Sequence, residues 1–121
     1  MVHAPEPTAR FDRELLKGNT ATVVLAILAE GPLHGYQIAK EMRRRSGDAL
    51  RLGQGVLYPI LHRLEDRGLA VGEWEQRTGT PSRKRYSITK AGLAELGAKR
   101  TEWVAFSTAM AKVLDTNGAG R

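Results

Sequence analysis

Residues 53–69, GQGVLYPILHRLEDRGL, constrain the fold more than any other part of the chain. Leu57, Ile60, Leu61 and Leu64 recur at i, i+3, i+4 and i+7, the spacing of one face of an α-helix. Gln54, Tyr58, His62 and Arg63 fall off that face, so one helix buries an apolar side and offers long or aromatic polar groups on another. Gly68 ends it with a residue that tolerates the left-handed cap conformation. Pro59 complicates the first half, because proline withholds a backbone donor and crowds the preceding turn. The helix is expected to start near Gln54 or Gly55 with local distortion.

Residues 1–9 contain Pro5 and Pro7 and are expected to form a disordered lead-in. From Arg10 to Lys17, Phe11, Leu15 and Leu16 make an apolar stripe too short to be a stable helix alone, so it should dock on something. After Gly18, Asn19 or Thr20 can cap a helix from Ala21 to Glu30 whose core face is Val23, Val24, Ile27 and Leu28. Leu25 and Ala26 are apolar too, which predicts cover on more than one side. Gly31-Pro32 ends this helix, and Leu33, His34 and Gly35 read as a turn. A second helix runs from Tyr36 to about Arg45, with Ile38, Ala39 and Met42 inward and Lys40, Arg43, Arg44 and Arg45 outward. The arginine run is either a solvated helix end favoured by the helix dipole or a contact for phosphates. Gly47 closes the helix, and Leu50 and Leu52 are spaced as a minimal strand.

Leu69 to Arg77 and Arg83 to Ile88 read as two strands around the tip TGTPS, residues 78–82, with a possible register break at Gly72 before Trp74. Arg83, Lys84 and Arg85 give the ribbon a basic edge. That edge is either a wing for a nucleic-acid backbone or groove, or a strand edge guarded by charge. The chain from 10 to 88 thus reads as a winged helix-turn-helix, mainly α with a small β-hairpin (α+β). Thr89 caps a last helix, about Lys90 to Asp115, in which Leu96, Trp103 and Met110 are seven apart and interleave with Lys99, Phe106 and Val113. Leu93 and Leu114 flank this seam of coiled-coil type. Residues 89–115 are expected to be a C-terminal dimerisation helix, pairing with its copy or with residues 10–17 of a second subunit. The alternative is a helix folded back on its own domain. Residues 116–121 make a Gly-rich flexible tail.

Charge sharpens the expectation. The net charge is +6, and between Leu33 and Ile88 eleven lysines and arginines stand against six acids, so a polyanion is a plausible partner. With no cysteine, disulfides and thiolate metal sites are excluded, which fits a reducing compartment. No apolar run reaches the roughly 18–20 residues of a membrane span, and MVHAPEPTARFDRELL carries no stretch of secretory type. A cytoplasmic protein is expected. His3, His34 and His62 are the only histidines, and no nucleophile–base pair or phosphate loop occurs, so neither an enzyme, a metal site nor a cofactor is expected. His34 and His62 read as turn or surface residues. Rival readings are a winged helix that binds only proteins and a non-specific architectural DNA binder.

Three motifs, EGPLHGYQIAKEM (30–42), LYPILHRLEDRGL (57–69) followed by EW (73–74), and RKRYSITKAGL (83–93), carry a closer likeness. Over residues 14–104 the chain resembles a PadR-family transcriptional regulator of the small subtype with one C-terminal helix. The resemblance implies a winged helix, a homodimer formed through the last helix, and repression relieved by a small molecule or another signal. It places Tyr36 near phosphates, Tyr58 in the recognition helix with His62 and Arg63 one turn on, and Gly79, Arg83 and Lys84 in the wing. With Gln54 and Gly55 these form the expected set against a palindromic operator in double-stranded DNA. Relatives often carry hydroxyl residues where this chain has Gly53 and Val56, so its operator should not be copied from theirs. Leu96, Lys99, Trp103, Phe106, Met110 and Val113, with Phe11 and Leu15, form the expected dimer and effector surface. Paired Trp103 indoles are placed either to sandwich a flat aromatic compound or simply to pack the interface. Lys99 either faces an acidic ligand or lays its stem along that interface.

Overall fold

The computed structural model describes residues 18–115. The lead-in, the segment with Phe11 and Leu15, and the tail lie outside these residues. The elements are α1 (Thr20–Leu28), β1 (Leu33–His34), α2 (Gly35–Arg45), α3 (Gln54–Asp66), β2 (Ala70–Glu75), β3 (Arg83–Ile88) and α4 (Lys90–Leu114).

Helix α1 lies at the centre, packed against α2, α3, α4 and β3. This explains why Val24, Leu25, Ile27 and Leu28 are all buried although they do not share one face. Ile38 and Met42 of α2, Leu57, Ile60, Leu61 and Leu64 of α3, Tyr86 of β3 and Leu96 of α4 close the same core. Fully burying one such aliphatic side chain contributes about 1.5–3 kcal/mol.

Helix α3 starts at Gln54 after Gly53 and passes through Pro59. The donor that proline lacks would have bonded the Gly55 carbonyl. Both residues are exposed, so water can take that bond. At the far end the Leu69 amide donates to the Leu64 carbonyl and the Gly68 amide to Glu65, with Gly68 at φ +75°. This is a Schellman cap, and it turns the chain sharply into β2.

The sheet has three strands in the order β1-β3-β2, all antiparallel. Three expectations are corrected here. Leu33 and His34, read as a turn, form a short strand against Tyr86 and Arg85; two residues are too few to show an alternation. Gly72 breaks no register, because pairing runs evenly from Ala70–Ile88 to Glu75–Arg83. Leu50 and Leu52 lie outside any strand and pack against the core from a loop.

The base of α4 is locked to the end of α3. The Thr89 side chain accepts from the Gly92 amide at 3.0 Å and donates to the Gly68 carbonyl at 2.7 Å. The Thr89 amide donates to the Leu69 carbonyl at 3.1 Å, and Arg67 reaches Glu95 at 3.4 Å. Beyond Leu96 the helix leaves the body, and most of its residues are exposed.

Candidate nucleic-acid interface

Tyr36, Lys40 and Arg43 occupy i, i+4 and i+7 on α2, so they share one face. That face borders an open concavity of about 740 Å³ that also takes in Arg44, Asp48 and Gln54. The start of α2 and the start of α3 are thereby brought to one surface. Tyr58 holds the two helices together: a Cβ at Gly35 would lie 2.5 Å from its hydroxyl oxygen, so the ring rests directly on the α2 backbone. Tyr58 is accordingly half-buried, while Gln54, Gly55, His62 and Arg63 are exposed on α3.

The wing meets this surface through Arg83. Its Nη1 donates to the Tyr36 hydroxyl at 3.3 Å, and its guanidinium carbon lies 5.9 Å from the Tyr36 ring centroid. Gly79 sits at the exposed tip with φ +75°, and Arg77 braces that tip by donating to the Pro81 carbonyl at 3.1 Å.

Lys84 does not join this surface. Strand alternation turns it to the opposite face of β3 from Arg83. There its ammonium pairs with Glu65 at 3.1 Å and lies over the Trp74 and Tyr86 rings. His34 is a second correction, being 4% exposed rather than on the surface. Its backbone amide and its Nδ1 both meet Gln37 Oε1, at 2.9 and 2.8 Å, and its Nε2 meets Glu75 at 2.8 Å.

The sequence offers Arg43 and Arg44 only as one of two readings of the arginine run and does not single out Lys40, although Tyr36, Lys40 and Arg43 stand at i, i+4 and i+7. The arginine run is largely tied up locally: Arg43 with Asp48, Arg44 with Glu41, and Arg45 with Glu41 and Glu30. Exposed pairs of this kind are worth about 0–1 kcal/mol each, so they can exchange partners with phosphates at little cost. Lys40 and Arg63 have no acidic partner among the described residues.

These pairs also shift the carboxylates. Hydrogen bonds from Arg44 and Arg45 lower Glu41 from its ordinary 4.5 to about 2. Asp48 is held low chiefly by the Arg51 hydrogen bond, and Glu75 chiefly by the one from His34, with Arg85 and Arg83 adding to it. Burial pushes the Tyr86 phenol up to about 12. A carboxylate depressed in the folded state stabilises it above the unfolded pKa, and that stabilisation fades as pH falls through the folded value. The urea midpoint is therefore expected to decline from about pH 5 downwards and to keep falling towards pH 2. An equal midpoint at pH 7 and pH 3 would show that these pairs do not persist in solution.

Helix α4 presents a different surface. Trp103, Phe106, Met110 and Val113 are 53, 61, 41 and 79% exposed. The first three, with Leu96, line a groove of about 1000 Å³ against α1 and the end of α2. Leu96 corrects the expected seam: it is 2% exposed and belongs to the core of its own domain. The helix is still half inside the body at that point. Lys99 and Val113 do not line the groove, and Lys99 pairs with Glu102 at 3.3 Å. Among the described residues no helix is long and apolar enough to cross a membrane, and no cluster of His, Asp or Glu is arranged to hold a metal ion.

Comparison with known proteins agrees with this geometry. The sequence profile described as "Transcriptional regulator PadR-like family" matches residues 24–98. A transcriptional regulator of Mycobacterium tuberculosis, Rv3488, is 35% identical over 88 residues, which cover 73% of this chain and 78% of the relative. A PadR-family transcriptional regulator from Eggerthella lenta superposes with TM-score 0.76 at 33% identity, over 86% of this chain and 88% of the other. A transcriptional regulator from Clostridium thermocellum superposes with TM-score 0.79 at 26% identity, over 84% of this chain and 99% of the other. These relatives are regulators of transcription and not enzymes, and the match takes in α2, α3, the wing and the base of α4: the chain belongs to the PadR-like family of transcriptional regulators.

Proposed function

We propose that this regulator is a homodimeric repressor that holds a palindromic operator through α3 and the wing, and leaves it when a small aromatic compound binds beside Trp103. One observation carries the reading. The buried face of α3 anchors it, while its exposed face is flanked by the cations of α2 and by Arg83, which meets α2 at Tyr36. A rigid helix with cations on both sides suits a major groove, where phosphate contacts set register and base edges are read between them. Gln54, Gly55, His62 and Arg63 then face the bases. Tyr36, Lys40, Arg43 and Arg83 take phosphates, Gly79 lets the wing tip approach the backbone closely, and Tyr58 fixes the α2–α3 spacing.

Residues 10–88 act as the DNA reader and residues 89–115 as the arm that joins two readers. The apolar side chains exposed on α4 are too many for an unpartnered helix in water, and a second copy is their simplest cover. A ligand seated against Trp103 favours one crossing of the two arms over another and so moves two α3 helices off the one-turn spacing of successive major grooves.

A gel-shift series tests the DNA reading. The protein's own promoter is compared with a scrambled duplex of equal length at rising salt. Preference for the promoter is expected, with a log–log salt slope of about −0.9 per phosphate neutralised. Equal retention on scrambled DNA would favour an architectural protein. Weak binding to both would favour a protein adaptor.

A further inference from the structure

Beside the surface assigned to DNA sits an acid that simple electrostatics would leave out. Glu75, at the end of β2, lies directly across the ladder from Arg83. One carboxylate oxygen takes the His34 Nε2 at 2.8 Å and lies 3.6 Å from Arg83 Nε, and the other pairs with Arg85. His34 in turn stacks on Tyr36, with centroids 6.2 Å apart and planes 15° from parallel, and is fixed from the other side by Gln37. Arg83 Nε is the one buried side-chain nitrogen or oxygen among the described residues with no hydrogen-bond partner. Arg83 is thus held at its inner edge by charge alone, with Nη1 on Tyr36.

We infer that Glu75 is a positioning residue for DNA binding, with His34 as its anchor. Its carboxylate fixes the wing to the start of α2 and aims the outer edge of Arg83, with Tyr36, at a phosphate. The inference rests on the DNA reading above and adds to it a residue whose charge has the wrong sign for direct contact. Two mechanisms therefore differ in sign. If Glu75 acted only through its field, removing the charge would tighten binding to a polyanion. If it aims Arg83, removing it costs the phosphate contact. Glu73 is the control, since it is an exposed acid two residues away on the same strand and face, with no ion pair among the described residues.

Duplex binding of the wild-type chain, Glu75→Gln, Glu73→Gln, Arg83→Ala and the Glu75→Gln/Arg83→Ala double variant is measured by fluorescence anisotropy. The probes are the promoter duplex and, at low salt, a scrambled duplex, with thermal melts confirming the fold of each variant. Glu73→Gln is expected to bind as well as wild type or slightly better. Glu75→Gln is expected to bind on the order of tenfold more weakly, with a salt slope shallower by about 0.9 per lost phosphate contact. In the Arg83→Ala background the same change is expected to cost nothing further. A variant weakened only by loss of fold would keep the wild-type slope.

Binding of Glu75→Gln equal to or tighter than wild type would overturn the positioning role and leave the DNA reading standing. So would a loss that persists without Arg83. Failure of the wild-type chain to hold either duplex would overturn the DNA reading, and this role with it. Should Glu75→Gln not fold, Glu75→Asp carries the same test: the charge is kept and one methylene of reach is lost, so weaker binding supports the role and unchanged binding overturns it.

Discussion

Phe106→Glu is expected to split the proposed dimer and to lower operator affinity on the order of a hundredfold or more, the scale set by linking two binding modules. Phe106 is 61% exposed on α4, so a carboxylate there stays largely in water in the single chain. In a paired arm it would be buried without a partner, which an apolar interface does not tolerate. Far-UV circular dichroism should show the helical content retained, since α1, α2 and α3 hold their core without this side chain. Sedimentation velocity reads the first effect and anisotropy on the promoter the second. A variant that remains dimeric with unchanged affinity would move the interface away from the Trp103–Phe106–Met110 stripe.

Gly92→Ala is expected to cost about 3 kcal/mol of stability, at the upper end of what overpacking usually does. A Cβ at this position would fall well inside contact distance of the Leu69 carbonyl oxygen and lie 2.6 Å from Ile88 Cγ1. The Leu69 carbonyl cannot easily retreat, because it accepts from the Thr89 amide at 3.1 Å. A fall in Tm of roughly 10–20 °C follows for a domain of this size. Gly97→Ala, five residues further along α4, is the matched control. Nothing lies within 4 Å of a Cβ there, and alanine is expected to stabilise the helix by about 0.5–1 kcal/mol. A Gly92→Ala melt within a few degrees of wild type would show that the α3–α4 joint is looser than its hydrogen bonds imply.

That joint also bears on regulation. Thr89, Gly92 and the Arg67–Glu95 pair tie the end of α3 to the base of α4. In the proposed dimer, a change in how two α4 helices cross would therefore be passed to α3 through this joint.

The elements legible in the sequence were those with long periodic patterns or strong stop signals. The Leu57–Ile60–Leu61–Leu64 face, the Gly68 cap and the Thr89 start all appear where the spacing put them. What stayed hidden depends on partners far apart in the chain. His34 looked like a turn residue because Glu75, which meets its Nε2, is 41 positions away. Lys84 shared a basic run with Arg83, yet adjacent strand residues face opposite ways, and Glu65 on α3 captures it. Leu96 fitted the α4 seam by its seven-residue spacing. Only the depth at which α4 leaves the body shows that Leu96, in its second turn, belongs to the domain core.

Sedimentation equilibrium of the chain, free and bound to its promoter duplex, bears most directly on the claim that two copies present α3 to successive grooves of one duplex. Two chains in free solution and two per duplex are expected, with a footprint whose half-sites lie about 10–10.5 base pairs apart or a multiple of that. A single chain gripping the duplex tightly, with one unrepeated half-site protected, would contradict it.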